Sequence, residues 1–595
     1  MTTWTVGGSD TGDRSAAASF VAIGFVVALV VVAIARLALF GWAGVAADDA
    51  RYVFVGLSTL DGHGPLTPSG NVFLLRSPAY GLALAAGSRL AGAGPIEGAR
   101  IVAVILTVAG WVAAVRFGWL LGGTVAAAAT ALALGAMPLV WTLLPTLRID
   151  LPQAAGVVAT LLALLRPTPR RWALAGLLFG LTVLVKETVL LLGLAPLAFL
   201  GSMPAARLAR LWTIFLVAAA IVAGWWWIVV WIQSGAIFPL NAIAVIDRRD
   251  VGSDLRIDAY GLGLLSIVVA AWLVVIAAAR RDRGRRLLVV AAACLLPPAA
   301  YATANGLNAR NYAGLAVLSA IAIGAATSTV LAWIRRRSRR RSTSAPAALI
   351  LAGVIALAVV VAGQLRIGNP SEPALPGQVA AWLRTASPLG GRTVMTFRYS
   401  EIVALDLYGH GSVPVLAAVR VDPLAAPSDF IWMGLRDRQL FGYARSDWLA
   451  SLAHRGTDHL VLAGPHPLTP AELVPDLDGG MVPGLVRDQS FAVDGDSATS
   501  YRVDPTELMA RGGDIPLHLS PAAALAWIDL ATAPTNGDPT AAITRLASGG
   551  TVIVGPTRDA LTARLAGIAC LVPGPGSAAA LEARIQAAGS GCPAG

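Results

Sequence analysis

The sequence predicts a polytopic α-helical membrane domain of about eleven spans, residues 1–366, followed by an extracytoplasmic α/β soluble domain, residues 367–595. Three observations carry this. Hydrophobic residues make up 56% of the 595-residue chain and charged residues only 13%, against roughly 25% charged in an ordinary soluble domain. Apolar runs near the ~20 residues that cross a bilayer recur through the first two-thirds of the chain. Beyond Gly368 those runs stop and Pro, Gly, Asp and Arg rise.

The spans follow in order. Apolar runs fall at 20–42, 99–121, 123–142, 152–165, 172–185, 188–200, 211–232, 261–279, 287–304, 311–334 and 346–365. The first is too long for a signal-peptide core and lacks a small-residue cleavage site, so it reads as a retained helix. Residues 78–92 form a shorter run with Arg89 inside it; this suits a helix lying at the interface rather than crossing. Arginines set the orientation. With 78–92 not crossing and the N-terminus cytoplasmic, the inner loops hold Arg166, Arg170, Arg171, Arg207, Arg210, the clusters 280–286 and 335–341, while the short outer loops hold Arg148, Lys186, Arg248, Arg249, Arg256 and Arg310. The positive-inside rule selects this arrangement. It places Asp48, Asp49, Arg76, Arg148, Asp150, Lys186, Glu187 and the loop 233–260 on the outer face.

In the C-terminal region, strand-like runs at 392–397, 413–419, 459–463, 551–554 and 568–572 alternate with amphipathic stretches at 378–385, 447–454, 559–565 and 578–588, the pattern of an α/β domain. Cys570 and Cys592 are a candidate disulfide pair if this region lies outside the cell; Cys294 sits in an apolar span and reads as packing. The six histidines show no metal-ligand spacing, and Gly574-Pro575-Gly576 reads as a turn.

The net charge of +11 is loop arginine, placed topogenically, and is no sign of nucleic-acid binding. Arg36, inside the first run, is expected to reach for the interface. Trp225-Trp226-Trp227 reads as an interfacial belt and packing element. Lys186 is the one lysine in the chain and stands in an apolar stretch, where coding bias gives no reason for it.

The outer loops carry the chemistry. Asp48-Asp49-Ala50-Arg51-Tyr52 follows the first span directly; Gly62-His63-Gly64-Pro65 and Arg76-Ser77-Pro78-Ala79-Tyr80 complete that loop. Arg148-Ile149-Asp150 ends a later span, and Gly176 and Gly180 precede Lys186-Glu187-Thr188. In order, spacing and shared sidedness this resembles the GT-C superfamily of membrane glycosyltransferases, which includes protein O-mannosyltransferases and transferases that decorate lipid A, over residues 20–240.

The resemblance implies a polyprenyl-phosphate sugar as donor, and a cell-wall glycan, lipid or protein as extracytoplasmic acceptor. It further implies transfer with inversion, at a bacterial plasma membrane. It assigns Asp48 as general base, with Asp49 and Asp150 as the other catalytic carboxylates. It assigns Arg76, Lys186 and Arg51 to the donor phosphate, and Arg148, Tyr52, Glu187 and His63 to the acceptor or to positioning, with Arg148 holding Asp150. The acidic pair is Asp-Asp, with no Asp-x-Asp triplet, so a divalent metal is not supported by the motif and no cofactor is assigned.

Plainer roles exist for each group: helix capping for Asp48 and Asp49, an interfacial ion pair for Arg148 and Asp150, a local pair for Lys186 and Glu187, and a headgroup anchor for Arg76. Two other classes share much of the pattern. One is a transporter or flippase for a lipid-linked intermediate, which commonly shows repeats and midplane charges; here no internal repeat is seen and most charges sit at span ends. The other is a catalytically inactive membrane scaffold.

Overall fold

The computed structural model describes residues 11–45, 47–66, 73, 76–92, 94–234, 283–304, 309–337, 374–386, 393–396, 400–409, 419–420, 458–463, 479–480, 482–493, 495–504 and 506–507. The expected spans 261–279 and 346–365, the loop 233–260 beyond residue 234, Cys570 and Cys592, the strands at 551–554 and 568–572, and the helices at 447–454, 559–565 and 578–588 lie outside the described residues. The chain forms two compact units that interleave along the sequence. The first takes residues 1–44, 100–226 and 247–371; the second takes 45–99, 227–246 and 372–595.

The first unit is helical. Helix α1 (Thr11–Phe40) has two faces. Leu29, Ala33 and Arg36 are buried, while Ile23, Val27, Val31, Ile34 and Leu39 are each more than half exposed. An exposed apolar stripe of this kind suits a face turned to lipid. Arg36 does not reach an interface as expected: it is 2% exposed, because the 29-33-36 spacing puts it on the stripe turned inward.

Helix α4 (Pro95–Ala136) joins the two runs expected at 99–121 and 123–142 and breaks between them, at Gly122 and Gly123, where Gly123 adopts φ 71°. Helices α5 (Pro138–Leu143), α6 (Asp150–Leu164) and α7 (Pro169–Val185) follow. Trp111 of α4 packs on Trp141 of α5 with ring centroids 5.8 Å apart.

The expected span at 188–200 is a 3₁₀ helix, Glu187–Phe199. At about 2.0 Å rise per residue its 13 residues reach roughly 26 Å, near the ~30 Å hydrocarbon thickness that an α-helix of this length would miss. Helix α8 (Ala205–Ser234) packs on α7, with Phe179 stacked on Phe215 at 5.2 Å. Within the expected tryptophan belt, Trp226 is buried and Trp225 exposed. Among the described residues, helices α9 (Arg283–Ala304) and α10 (Ala313–Arg337) follow, joined to a short 3₁₀ turn at Ala309–Tyr312. Among the described residues, Pro95–Ala136, Ala205–Ile232 and Arg310–Trp333 are long and apolar enough to cross a membrane, and Ile23–Leu39, Asp150–Leu164 and Glu187–Phe199 are shorter apolar helices.

The second unit holds α2 (Ala47–Leu60) and α3 (Ala79–Ala91). At 1.5 Å per residue α3 spans about 20 Å, short for a crossing, in line with the reading of 78–92. The two helices meet backbone to backbone: a Cβ on Gly56 would lie 2.0 Å from the Gly81 carbonyl oxygen, and one on Gly81 2.3 Å from that of Tyr52.

The unit also holds α11 (Ala374–Ala386), α12 (Ser400–Gly409) and a five-stranded sheet: β1 (Thr393–Thr396), β2 (Val419–Arg420), β3 (His459–Ala463), β4 (Leu485–Val493) and β5 (Asp496–Val503). The strand order is β2-β1-β3-β5-β4. Strand β1 runs parallel to β2 and β3, while β5 is antiparallel to β3 and β4. The β4–β5 hairpin and α12 are additions to the sequence reading. The hairpin's signal is Asp494-Gly495 between alternating strands: Val493 pairs with Asp496, Gly495 takes φ 83°, and Asp-Gly is a preferred two-residue hairpin loop.

His459 anchors this sheet to α11. It is 5% exposed, its Nδ1 has no hydrogen-bond partner, and its ring meets Trp382 edge-on at 5.3 Å. Burial pushes its pKa down; Asp488 and Asp458 push it up by less, and Arg502 down. The unfolded chain therefore binds the proton first, so stability falls as the pH drops through and below the ordinary histidine value near 6.5. Amides of 459–463 are expected to exchange faster at pH 5.5 than at 7.5 beyond the intrinsic pH effect, and His459→Leu to remove the difference. An equal pH response in the variant would assign the effect to other groups.

Candidate active site

The residues expected to carry chemistry fall into two groups, one in each unit. In the second unit, α2 begins at the acidic pair, with Asp48 and Asp49 in its first turn. The exposed N–H groups and dipole of a helix start favour carboxylates there. Asp48 is half-buried and Asp49 is 1% exposed. One turn on, Tyr52 is enclosed by aromatic edges, with Phe73 at 6.3 Å and Tyr80 at 5.9 Å.

The Arg76 guanidinium donates to the Tyr52 hydroxyl. Arg51 pairs with Glu401 of α12. His63 is exposed in the turn after α2, where its backbone N–H donates to the Ser58 carbonyl at 3.0 Å. The structure thus gathers Asp48, Asp49, Arg51, Tyr52 and Arg76 at the α2 end.

In the first unit, α6 and α7 form a hairpin, so the start of one meets the end of the other. Lys186 Nζ donates to Asp150 Oδ1 at 2.7 Å and to Asn311 Oδ1 at 2.8 Å. The ion pair is deeply buried, with side-chain exposures of 4% and 2%. From sequence, Arg148 is the expected partner of Asp150 and Glu187 the local partner of Lys186. The hairpin instead gives Asp150 and Lys186 to each other, across 36 residues. Arg148 and Glu187 stand beside them, half-buried. Gln153 donates to Thr188 Oγ at 3.0 Å, and these two line a narrow cleft with Asn311, Leu295, Pro298 and Gly314. Gly176 and Gly180 of α7 lie against the α8 backbone at Phe215 and Ala219, which fixes the helix that delivers Lys186.

Asn311, Glu401 and Phe73 were not legible as site residues. Asn311 had one signal, a polar Asn-Ala-Arg-Asn-Tyr run between two apolar spans. Among the described residues no group of three or more His, Cys, Asp and Glu is placed to hold a metal ion.

Residues 76–231 match the family of dolichyl-phosphate-mannose-protein mannosyltransferases. The matched segment includes Arg76, Arg148, Asp150 and Lys186; Asp48 and Asn311 lie outside it. The fold aligns with ArnT from Cupriavidus metallidurans in the apo state at a TM-score of 0.56 and 14% identity, over 82% of this chain and 98% of that one. The chain shares the fold of ArnT.

The same ArnT bound to undecaprenyl phosphate aligns at 0.53 and 13% identity, over 80% of this chain and 97% of the other. The arabinofuranosyltransferase AftD from Mycobacteria aligns at 0.50 and 16% identity, over 81% of this chain and 40% of that chain. No curated protein sequence matches. The resemblance to GT-C membrane glycosyltransferases drawn from the sequence is borne out by the matched family and by the fold.

Proposed function

We propose that this protein is an integral membrane glycosyltransferase that moves a sugar from a polyprenyl-phosphate donor to an extracytoplasmic glycan, lipid or protein. The observation that carries this is the acidic first turn of α2, which directly follows the lipid-facing helix α1 and sits in the same unit as an arginine fixed on Tyr52. A lipid-anchored phosphate presents its sugar at the membrane surface, where a helix end emerging from the bilayer can reach it.

In this reading Asp48, the more exposed carboxylate of the pair, takes the proton from the acceptor hydroxyl. The freed oxygen attacks the anomeric carbon. The bond from that carbon to the phosphate oxygen breaks, and polyprenyl phosphate leaves with inversion. Arg76 offsets the charge that develops on the phosphate. Lys186 holds Asp150 in place within the first unit. The complex of the similarly folded ArnT with undecaprenyl phosphate supports a lipid phosphate as the leaving group. The N-terminus is assigned to the cytoplasm by the arginine bias.

The test is release of polyprenyl phosphate by the purified protein in lipid, from polyprenyl-phosphate mannose, arabinose and related donors, with membrane extract supplying acceptors. Release from one donor is expected. Binding of donors without release from any would overturn the reading in favour of a flippase or scaffold.

A further inference from the structure

We infer that Glu401, on α12, is a positioning residue that fixes the acidic first turn of α2 by holding Arg51; this rests on the transferase reading above. Arg51 lies three residues after Asp48, on the same side of α2 and one turn on. In sequence it is a phosphate-binding candidate. In the structure it is bound to Glu401, with side-chain exposures of only 14% and 5%. A guanidinium held there is a strut for the helix that carries Asp48.

The strut belongs to a larger clamp. Helix α12 lies beside α2 with its start against the start of α2. Up α2, Phe54 packs on Tyr408 with ring centroids 5.2 Å apart. At its far end, the Tyr408 hydroxyl donates to Asp61, which also accepts from Arg89 of α3 at 2.7 and 2.8 Å. Next to Tyr408, Gly409 lies so close to Pro95 that an added Cβ would come within 2.8 Å of its ring. Val403, Ala404, Leu405 and Leu407 are buried on α12, so the helix is anchored on its own account. Both ends of α2 are thus fixed to α12, which sets its rotation and with it the direction of Asp48. The polar end of that clamp is a buried ion pair, whose loss removes one of the contacts that orient the start of α2.

The test compares wild type, Glu401→Gln and the charge swap Arg51→Glu with Glu401→Arg, all as full chains in lipid nanodiscs. It reads amide exchange over α2 and steady-state kinetics with a polyprenyl-phosphate sugar. Glu401→Gln is expected to speed exchange at residues 47–55 and leave α6 unchanged. It is expected to lower kcat by about tenfold or more with the donor KM within about twofold, as for a displaced but intact base. The charge swap is expected to restore protection of α2 and part of kcat. Unchanged exchange and unchanged kcat in Glu401→Gln would overturn the inference. So would a rise in donor KM that matches the fall in kcat, which would make Arg51 a phosphate ligand. If wild type turns over no donor, the transferase reading fails, and the exchange comparison alone decides whether Glu401 orders α2.

Discussion

Asp48→Asn is expected to lower the rate of sugar transfer by about 10²–10⁴-fold, the usual contribution of a general base, while folding and donor binding persist. Asparagine keeps the size of the side chain and its oxygen at the helix start, and both residues are good at helix N-termini. What it removes is the capacity to accept the acceptor's proton. Asp48 rather than Asp49 is the group to change because Asp49 is 1% exposed, whereas Asp48 is half-buried and within reach of a ligand. Single-turnover release of polyprenyl phosphate, with donor binding measured in parallel, is the measurement. A rate in Asp48→Asn within threefold of wild type, a barrier difference of about 0.7 kcal/mol, would move the base to Asp49 or Asp150.

Lys186→Ala is expected to cost about 3–5 kcal/mol of stability, the cost of stranding one member of a buried ion pair. Asp150 is 1% exposed, and the lysine ammonium at 2.7 Å is the cation beside it. The double variant Asp150→Asn with Lys186→Met is expected to regain most of the loss, because replacing a whole buried pair is often close to neutral. Thermal melting in lipid separates the cases. Equal melting of Lys186→Ala and wild type would mean that water or a neighbouring cation enters to compensate. Recovery of stability without recovery of turnover in the double variant would give Asp150 a role in the reaction beyond folding.

The membrane part of this fold was legible where apolar length alone decides it. The runs at 99–121 and 123–142, the break at residue 122 and the short helix at 79–91 all follow from span length and glycine position. The acidic helix start was legible because Asp is favoured at helix N-termini and the pair directly follows a long apolar run. The pairing of side chains was not. Lys186 meets Asp150 through a helical hairpin, and Arg51 meets Glu401 across 350 residues. Neighbouring charges in sequence, such as Glu187 and Arg148, offered nearer partners that the fold passes over. Arg36 was misplaced for a related reason: hydropathy along α1 shows that it is in the span but not which face it occupies. The 3₁₀ form of Glu187–Phe199 also escapes sequence patterning, since its apolar residues surround the axis.

The joining of Arg51 to Glu401 also sets a timetable. A ribosome adding about 5–20 residues per second needs roughly 20–70 s to make the 350 residues between them. For that interval the newborn acidic helix has no α12 to lie against, and its buried face must be shielded by lipid, by the translocation machinery or by a chaperone. A chain stopped before Ser400 would insert its membrane helices yet never acquire that partner. Protease sensitivity of α2 during synthesis should therefore persist until the α12 segment emerges and then disappear in one step.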